Sequence, residues 1–217
     1  MANTAKVIDA FGPVERKVNA NWKPVEVGKT LYPGFVIRTR TGGVALLQLQ
    51  DGHRVRVGEN TVLVLTKLGE GQTFALNVTT GQVWVLVRKA ANPKSFKVET
   101  PSAASEVKGT LFAVALDPET GESVVDIAEG SVQVSTVGVV SGVRVMLRAG
   151  QLTRVPSGTG KTKDQRPKLA VLPHGTGSKT LWRLLLSEGS WAKQDGREPF
   201  ALRRGSEEKL RRWWLVR

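Results

Sequence analysis

The 217-residue sequence has no cysteine and only two histidines. Those absences exclude a disulfide scaffold, a thiolate metal site, a catalytic cysteine and an enzyme built on several imidazoles. Chemistry by carboxylates alone is not excluded on that ground. Aromatic residues are scarce, at 6%, with a single tyrosine. Long apolar runs are missing as well. Stretches such as 83–87 and 111–116 fall far short of the roughly 18 residues that a membrane-spanning helix needs. The opening Met1-Ala2-Asn3-Thr4-Ala5-Lys6 lacks a basic segment followed by an apolar one, so no secretory leader is legible in it.

Positive charge is in excess and unevenly placed. Lysine and arginine number 32 against 19 acidic residues, a net of +13. Residues 1–155 hold 18 basic and 13 acidic groups, net +5, whereas residues 156–217 hold 14 and 6, net +8. Four of the six tryptophans (Trp182, Trp191, Trp213 and Trp214) lie in the last 36 residues. The chain therefore reads as two unlike parts. Partners of opposite charge, such as an anionic surface, an acidic glycan or a nucleic acid, belong first to the second part.

Period-two alternation dominates residues 5–155, the mark of strands with one buried face. Val44-Ala45-Leu46-Leu47-Gln48-Leu49 leads to Asp51-Gly52 and then to Arg54-Val55-Arg56-Val57. That pattern predicts a β-hairpin with a type I′ turn. Thr61-Val62-Leu63-Val64-Leu65 is continuously β-branched or apolar, predicting a strand buried on both faces. Ala103-Ala104-Ser105-Glu106-Val107 is the one stretch here that reads as a helical turn. A short phrase, glycine then a polar then an apolar residue, recurs as Gly81-Gln82-Val83, Gly130-Ser131-Val132 and Gly150-Gln151-Leu152. Its irregular spacing is not that of a solenoid; each is read as a strand start behind a glycine with positive φ. With turn residues every 8–12 positions or so, the expected fold is all-β, an antiparallel sandwich or roll of about 12 short strands.

An ordered series of these residues resembles the FecR domain family. It runs through Trp22-Lys23-Pro24, Ile37-Arg38-Thr39, Gly42-Gly43-Val44, Asp51-Gly52, Gly81-Gln82-Val83-Trp84, Phe96-Lys97-Val98 and Thr100-Pro101. Its sharpest element is Val107-Lys108-Gly109-Thr110, and it continues through Glu129-Gly130-Ser131-Val132 to Gly150-Gln151, covering about residues 7–155. The resemblance implies an extracytoplasmic β-module without catalytic residues. The best-known relatives relay signals from iron-siderophore receptors to sigma factors, and carry a helical segment and a transmembrane helix that this sequence does not show. That role is therefore not carried over. Stand-alone versions occur in envelope proteins, so a periplasmic or cell-envelope location is expected if a leader has been removed.

Residues 156–177 read as a basic glycine- and proline-rich linker, and 178–217 as a basic, tryptophan-rich extension with one or two short helices. Gly158-Thr159-Gly160-Lys161-Thr162 mimics a phosphate loop, but Val155 stands where such a loop needs glycine, and Pro167 and Pro173 interrupt any following helix. Ser178 is placed to cap a helix through Leu186. Leu181, Trp182, Leu184, Leu185 and Leu186 cover more than a narrow stripe, so that helix is expected to be buried against something. Near the end, Leu210, Trp213 and Trp214 share a face flanked by Lys209, Arg211, Arg212 and Arg217. Rings beside cations suit an anionic interface, single-stranded nucleic acid or a docked helix.

The candidate partner-binding residues are thus Trp182, Trp191, Lys209, Arg211, Arg212, Trp213 and Trp214. A second candidate is a basic patch of Arg38, Arg40, Arg54 and Arg56, should their strands pair. Trp22 is expected to be half exposed, and Trp84 to be core. His53 and His174 sit in turn sequences and are expected in solvent. Asp117, Glu119 and Glu122 crowd one turn without the six or more oxygen ligands of a calcium loop. No cofactor, metal or enzyme activity is expected. The reading is a non-catalytic envelope binding or scaffold module, related to signalling, that contacts a protein, glycan or anionic surface through its C-terminal region. A nucleic-acid-binding protein and a self-assembling oligomer or filament subunit are the alternatives.

Overall fold

The computed structural model describes residues 3–88, 91, 93–138, 142–157 and 169–173. Among them are seventeen strands, more than the dozen or so expected. They are β1 (Ala5–Phe11), β2 (Val14–Val18), β3 (Asn21–Pro24), β4 (Thr30–Leu31), β5 (Val36–Thr39), β6 (Val44–Leu49), β7 (Arg54–Val57) and β8 (Val62–Glu70). There follow β9 (Thr73–Leu86), β10 (Ser95–Glu99), β11 (Ala103–Val107), β12 (Leu111–Leu116), β13 (Ser123–Glu129), β14 (Ser131–Thr136), β15 (Arg144–Arg148), β16 (Gln151–Val155) and β17 (Leu172–Pro173). The phosphate-loop mimic at 158–162 and the helices expected within 178–217 lie outside the described residues.

The strands form two sheets joined through β9. The first sheet runs β4-β1-β6-β7-β9-β12-β13-β16-β17. The second runs β3-β2-β5-β8-β9-β10-β11-β14-β15. Every pair is antiparallel except β9 with β10. Between the sheets lies one apolar core. Val7, Leu47, Val55, Val85, Phe112 and Val125 enter it from the first sheet, and Ile37, Leu63, Leu76, Val98 and Val134 from the second. This is the all-β sandwich that the alternation predicts.

The recurrent glycine phrase marks where the chain passes from one sheet to the other. Gly81 lies inside β9, whose residues 73–80 pair in the second sheet and 81–86 in the first. Gly130 separates β13 of the first sheet from β14 of the second, and Gly150 separates β15 from β16. All three have positive φ, at 81°, 83° and 81°. A change of sheet demands a sharp bend, which a left-handed residue supplies. At Gly81 a side chain would also have no room. An added Cβ would lie 2.2 Å from Thr61 Oγ1 and 2.6 Å from the Asn60 carbonyl oxygen.

A buried threonine pair ties this corner together. The Gln82 amide donates to Thr61 Oγ1 at 2.9 Å, and the Thr61 amide donates to Thr39 Oγ1 at 3.0 Å. Thr39 Oγ1 in turn donates to the Gly58 carbonyl, and the Gly58 amide donates to the Gln82 carbonyl at 2.9 Å. The backbone at the bend cannot complete an ordinary ladder, so hydroxyls take over its partners.

Three local expectations are corrected. Residues 103–107 form strand β11, with Ala103, Ser105 and Val107 buried and the residues between them half-buried. Pairing with β10 and β14 outweighs the helical preference of alanine. Thr61 to Leu65 is buried on one face only, because Val62 and Val64 are partly exposed. The Asp51-Gly52 hairpin forms, but only Gly52 has positive φ, at 76°. The Gly52 amide donates to the Leu49 carbonyl and the Leu49 amide to the His53 carbonyl. That is a three-residue loop with a glycine bulge in place of a type I′ turn. The fold also extends past residue 155: β17 pairs with β16, and Thr153 Oγ1 donates to the Ala170 carbonyl at 2.7 Å.

The steric part of the Gly81 constraint can be isolated. Gly150 has the same φ but open space around its added Cβ. Gly150→Ala is expected to cost about 1 kcal/mol, the strain of a left-handed alanine. Gly81→Ala is expected to cost about 2 kcal/mol more, from overpacking against Thr61. Urea unfolding of the two variants beside the parent measures the difference.

Candidate functional site

The sequence nominates two sets of residues. Trp182, Trp191, Lys209, Arg211, Arg212, Trp213 and Trp214 lie outside the described residues, as does His174. The second set, Arg38, Arg40, Arg54 and Arg56, is described throughout, and it does not form one patch. Arg38 and Arg40 are on and just after β5 in the second sheet, whereas Arg54 and Arg56 are on β7 in the first. β5 pairs with β2 and β8, and β7 with β6 and β9.

Arg38 and Arg40 instead gather around Glu15 of β2. The register sets Glu15 opposite Arg38. One carboxylate oxygen, Glu15 Oε2, accepts from Arg38 Nε at 2.9 Å, Arg38 Nη2 at 2.6 Å and Arg40 Nε at 3.0 Å. The hydrogen bonds from Arg40 and then Arg38 hold the Glu15 carboxyl below the usual carboxylate range. The Arg38 guanidinium lies 4.0 Å from the centre of the Trp22 ring, a cation-π contact that fixes the half-buried indole. Arg40 is the more open cation, with 58% of its side chain exposed against 23% for Arg38. The cluster is a positively charged, aromatic-backed surface on the outer face of the second sheet. It can receive a carboxylate or phosphate.

The other pair is largely withdrawn from solvent. Arg56 is fully buried, its guanidinium 4.8 Å from the centre of the buried Trp84 ring. Arg54 is partly exposed, and its pKa is lowered by burial and by the neighbouring Arg88. Alternation puts Arg54 and Arg56 on one strand face, as expected. That face is covered at Arg56, which a strand pattern alone does not reveal. Trp84 is buried as expected, but in a separate cluster away from the main core.

His53 is not the solvated turn residue expected. It is fully buried at one end of the core, where its Nδ1 accepts the Arg88 amide at 3.0 Å. Phe74 and Phe96 flank it edge-on, with ring centres 4.7 and 5.3 Å away. The loop bulge turns it inward where the sequence suggested an exposed tip. Burial, aided by Arg88 and opposed by Asp51, pushes the imidazole down to about 4. The ring is therefore neutral near pH 7, with the Nδ1 bond placing its proton on Nε2.

Asp117 shapes its own turn, accepting the amides of Glu119 and Thr120 at 2.9 and 3.3 Å, which lowers its pKa. Glu122 is engaged by Arg154 at 2.6 Å. Among the described residues no three His, Asp or Glu side chains gather as a metal ion would require. A cleft at the end of the sandwich is lined by Asn3, Gln50, Asp51, Leu68 and Gln72, with Asp51 its only charged group. Among the described residues no helix is long and apolar enough to cross a membrane.

Comparison with known proteins places the sandwich. Residues 35–133 match the FecR protein family, from just before β5 into β14. Two crystal structures of a candidate anti-sigma factor from Parabacteroides distasonis share the fold, each with a TM-score of 0.56 at 18% identity. In both cases the match covers 70% of this chain and 64% of the other. The chain thus spans less than two thirds of those proteins. No curated protein matches it in sequence.

Two outcomes are expected here. Folded His53 binds its proton only near pH 4 and the unfolded chain near 6.5, so stability is full above pH 6.5 and declines as pH falls towards 4, by about 3 kcal/mol for this group. Urea unfolding at pH 7.5 and 4.5 should show a clearly smaller difference in His53→Leu, although that variant is less stable at both. Arg38→Lys keeps the charge but loses the planar stack on Trp22 and the two-donor contact with Glu15. A loss of about 0.5–1 kcal/mol is expected, with Arg40→Lys near zero.

Proposed function

Taking residues 35–133 as a FecR domain, we propose that this protein is a non-catalytic binding or scaffold module of the cell envelope, connected with signalling. The sandwich is the rigid carrier, and the basic, tryptophan-rich region at its C-terminal side makes contact with a protein partner or an anionic surface. The observation that carries this reading is the family match itself. It falls on a domain whose motif glycines sit at turns and sheet crossings and not around a reactive group. FecR domains are typically periplasmic, which supports an envelope location. The partner of the Parabacteroides distasonis protein is not transferred, because 18% identity supports the fold alone.

The alternatives have less support. A nucleic-acid role rests on positive charge and on the tryptophans beside it in residues 209–217. An edge-to-edge filament is disfavoured by the strand edges among the described residues. β4 and β17 are two residues long, β3 ends in Lys23-Pro24, and β15 carries Arg144 and Arg148. Short, charged or proline-bearing edges resist strand addition.

The test compares the full chain with a full-length variant in which Arg211, Arg212, Trp213 and Trp214 are all alanine. Sedimentation with envelope fractions and with anionic vesicles is expected to retain the parent and release the variant. Equal retention would remove the C-terminal region from the account. Retention of the parent on single-stranded DNA at about 50 mM salt, lost steeply as salt rises, would favour the nucleic-acid reading.

A further inference from the structure

Along its middle the first sheet is buried on both faces, which two layers cannot achieve. Its inward residues Val55, Val85, Phe112, Val114, Val125 and Ile127 belong to the core between the sheets. Their neighbours along the same strands point the other way. Those neighbours form a row fixed by register: Leu46 opposite Arg56, Arg56 opposite Trp84, Trp84 opposite Ala113 and Ala113 opposite Asp126. Arg56, Trp84, Ala113 and Asp126 are each 0% exposed, and Leu46 is 7% exposed. Val44, Leu111 and Ala128 extend the row into a second apolar cluster. The row crosses the middle of the sheet, on β6, β7, β9, β12 and β13, where loops at the sheet ends reach least. A buried outer face requires a third layer. Every described strand is already spent in one of the two sheets.

We propose that this third layer is the chain's own segment 178–186, docked across the outer face of the first sheet. The described fold ends at the right place. Asp126 is opposite Leu152, and Leu152 is opposite Leu172 of β17. The chain therefore leaves along the same row, two strands from Asp126, or about 10 Å. Pro173 to Leu181 is eight residues, which can span up to about 27 Å. The row from Asp126 to Leu46 is about 19 Å wide. Beyond Pro173 the sequence continues for 44 residues. Its most apolar run, Leu181, Trp182, Leu184, Leu185 and Leu186, is too broad for a helix facing water on most sides. A broad apolar segment and a buried sheet face in which Leu46, Trp84 and Ala113 surround the charged Arg56 and Asp126, linked by a tether of sufficient reach, satisfy one another. The arrangement leaves the Arg-Trp end of the chain, residues 209–217, for a partner, and it does not depend on the functional reading above.

The absence of native cysteine makes the test direct. Ala128→Cys places one thiol in the outer cluster of the full chain. Its reaction with a maleimide is expected to be slow. In the same background, Leu181, Leu184 and Leu185 changed together to serine should speed it at least tenfold. An unchanged rate, or a fast rate already in the parent, would overturn the proposal. Protection that disappears on dilution would also overturn it, assigning the cover to a second copy. A second measurement covers the case in which the serine variant misfolds. Ala128→Cys is paired in turn with Leu181→Cys, Leu184→Cys, Leu185→Cys and Leu186→Cys and oxidised mildly. At least one pair should give an intramolecular disulfide seen as a mobility shift of the monomer; none doing so defeats the idea.

Discussion

The bend of β9 at Gly81 is the constraint on which the rest of the fold depends. One strand belongs to both sheets, so its corner sets how the layers face each other. The corner needs a residue with positive φ and no side chain, because Thr61 and the Asn60 carbonyl fill the space where a Cβ would stand. It also strands backbone groups that a straight ladder would satisfy. Thr39 and Thr61 take them over in a buried chain of hydrogen bonds from Gly58 to Gln82. Steric room and polar satisfaction are thus two sides of one requirement.

The same solution recurs at other crossings. Lys108-Gly109-Thr110 carries the chain from β11 in the second sheet to β12 in the first. There Thr110 exchanges backbone hydrogen bonds with Val87 and donates through Oγ1 to the Ser131 carbonyl. An added Cβ at Gly130 would lie 2.7 Å from the Gly109 carbonyl oxygen, so these two crossings pack on one another. Elsewhere, Ser123 at the start of β13 shares its hydroxyl with Thr100 and Ser102, in the turn between β10 and β11 of the second sheet. Gly81, Lys108-Gly109-Thr110 and Gly130, all inside the FecR match, are therefore places where the chain passes between layers.

Much of this was legible in one dimension. Alternation gave the fold class, because a side chain's face in a strand depends only on the parity of its position. The glycine phrases were recognisable as positive-φ positions, and Trp84 as a buried residue. What parity cannot supply is which strands meet. Arg38, Arg40, Arg54 and Arg56 would have made one patch only if their strands paired; register put them on different sheets. Glu15, which organises Arg38 and Arg40, carried no signal of its own, being one charged residue in an ordinary strand. His53 followed a turn motif that usually faces solvent, and only the bulge at Gly52 turned its ring inward between Phe74 and Phe96.

The sequence by itself determined that the chain is all-β, that its turns need glycine at particular points, and that its positive charge gathers beyond residue 155. Each of these follows from local sterics or from counting. Tertiary structure alone decided that the glycine phrases are crossings between sheets, that Arg56 and His53 are buried, and that the middle of the first sheet is buried on both faces. Those facts depend on contacts between residues distant in the chain, such as Arg56 with Trp84 or Thr61 with Gln82. No local pattern encodes such a meeting, because burial is a property of the surface formed by several strands together.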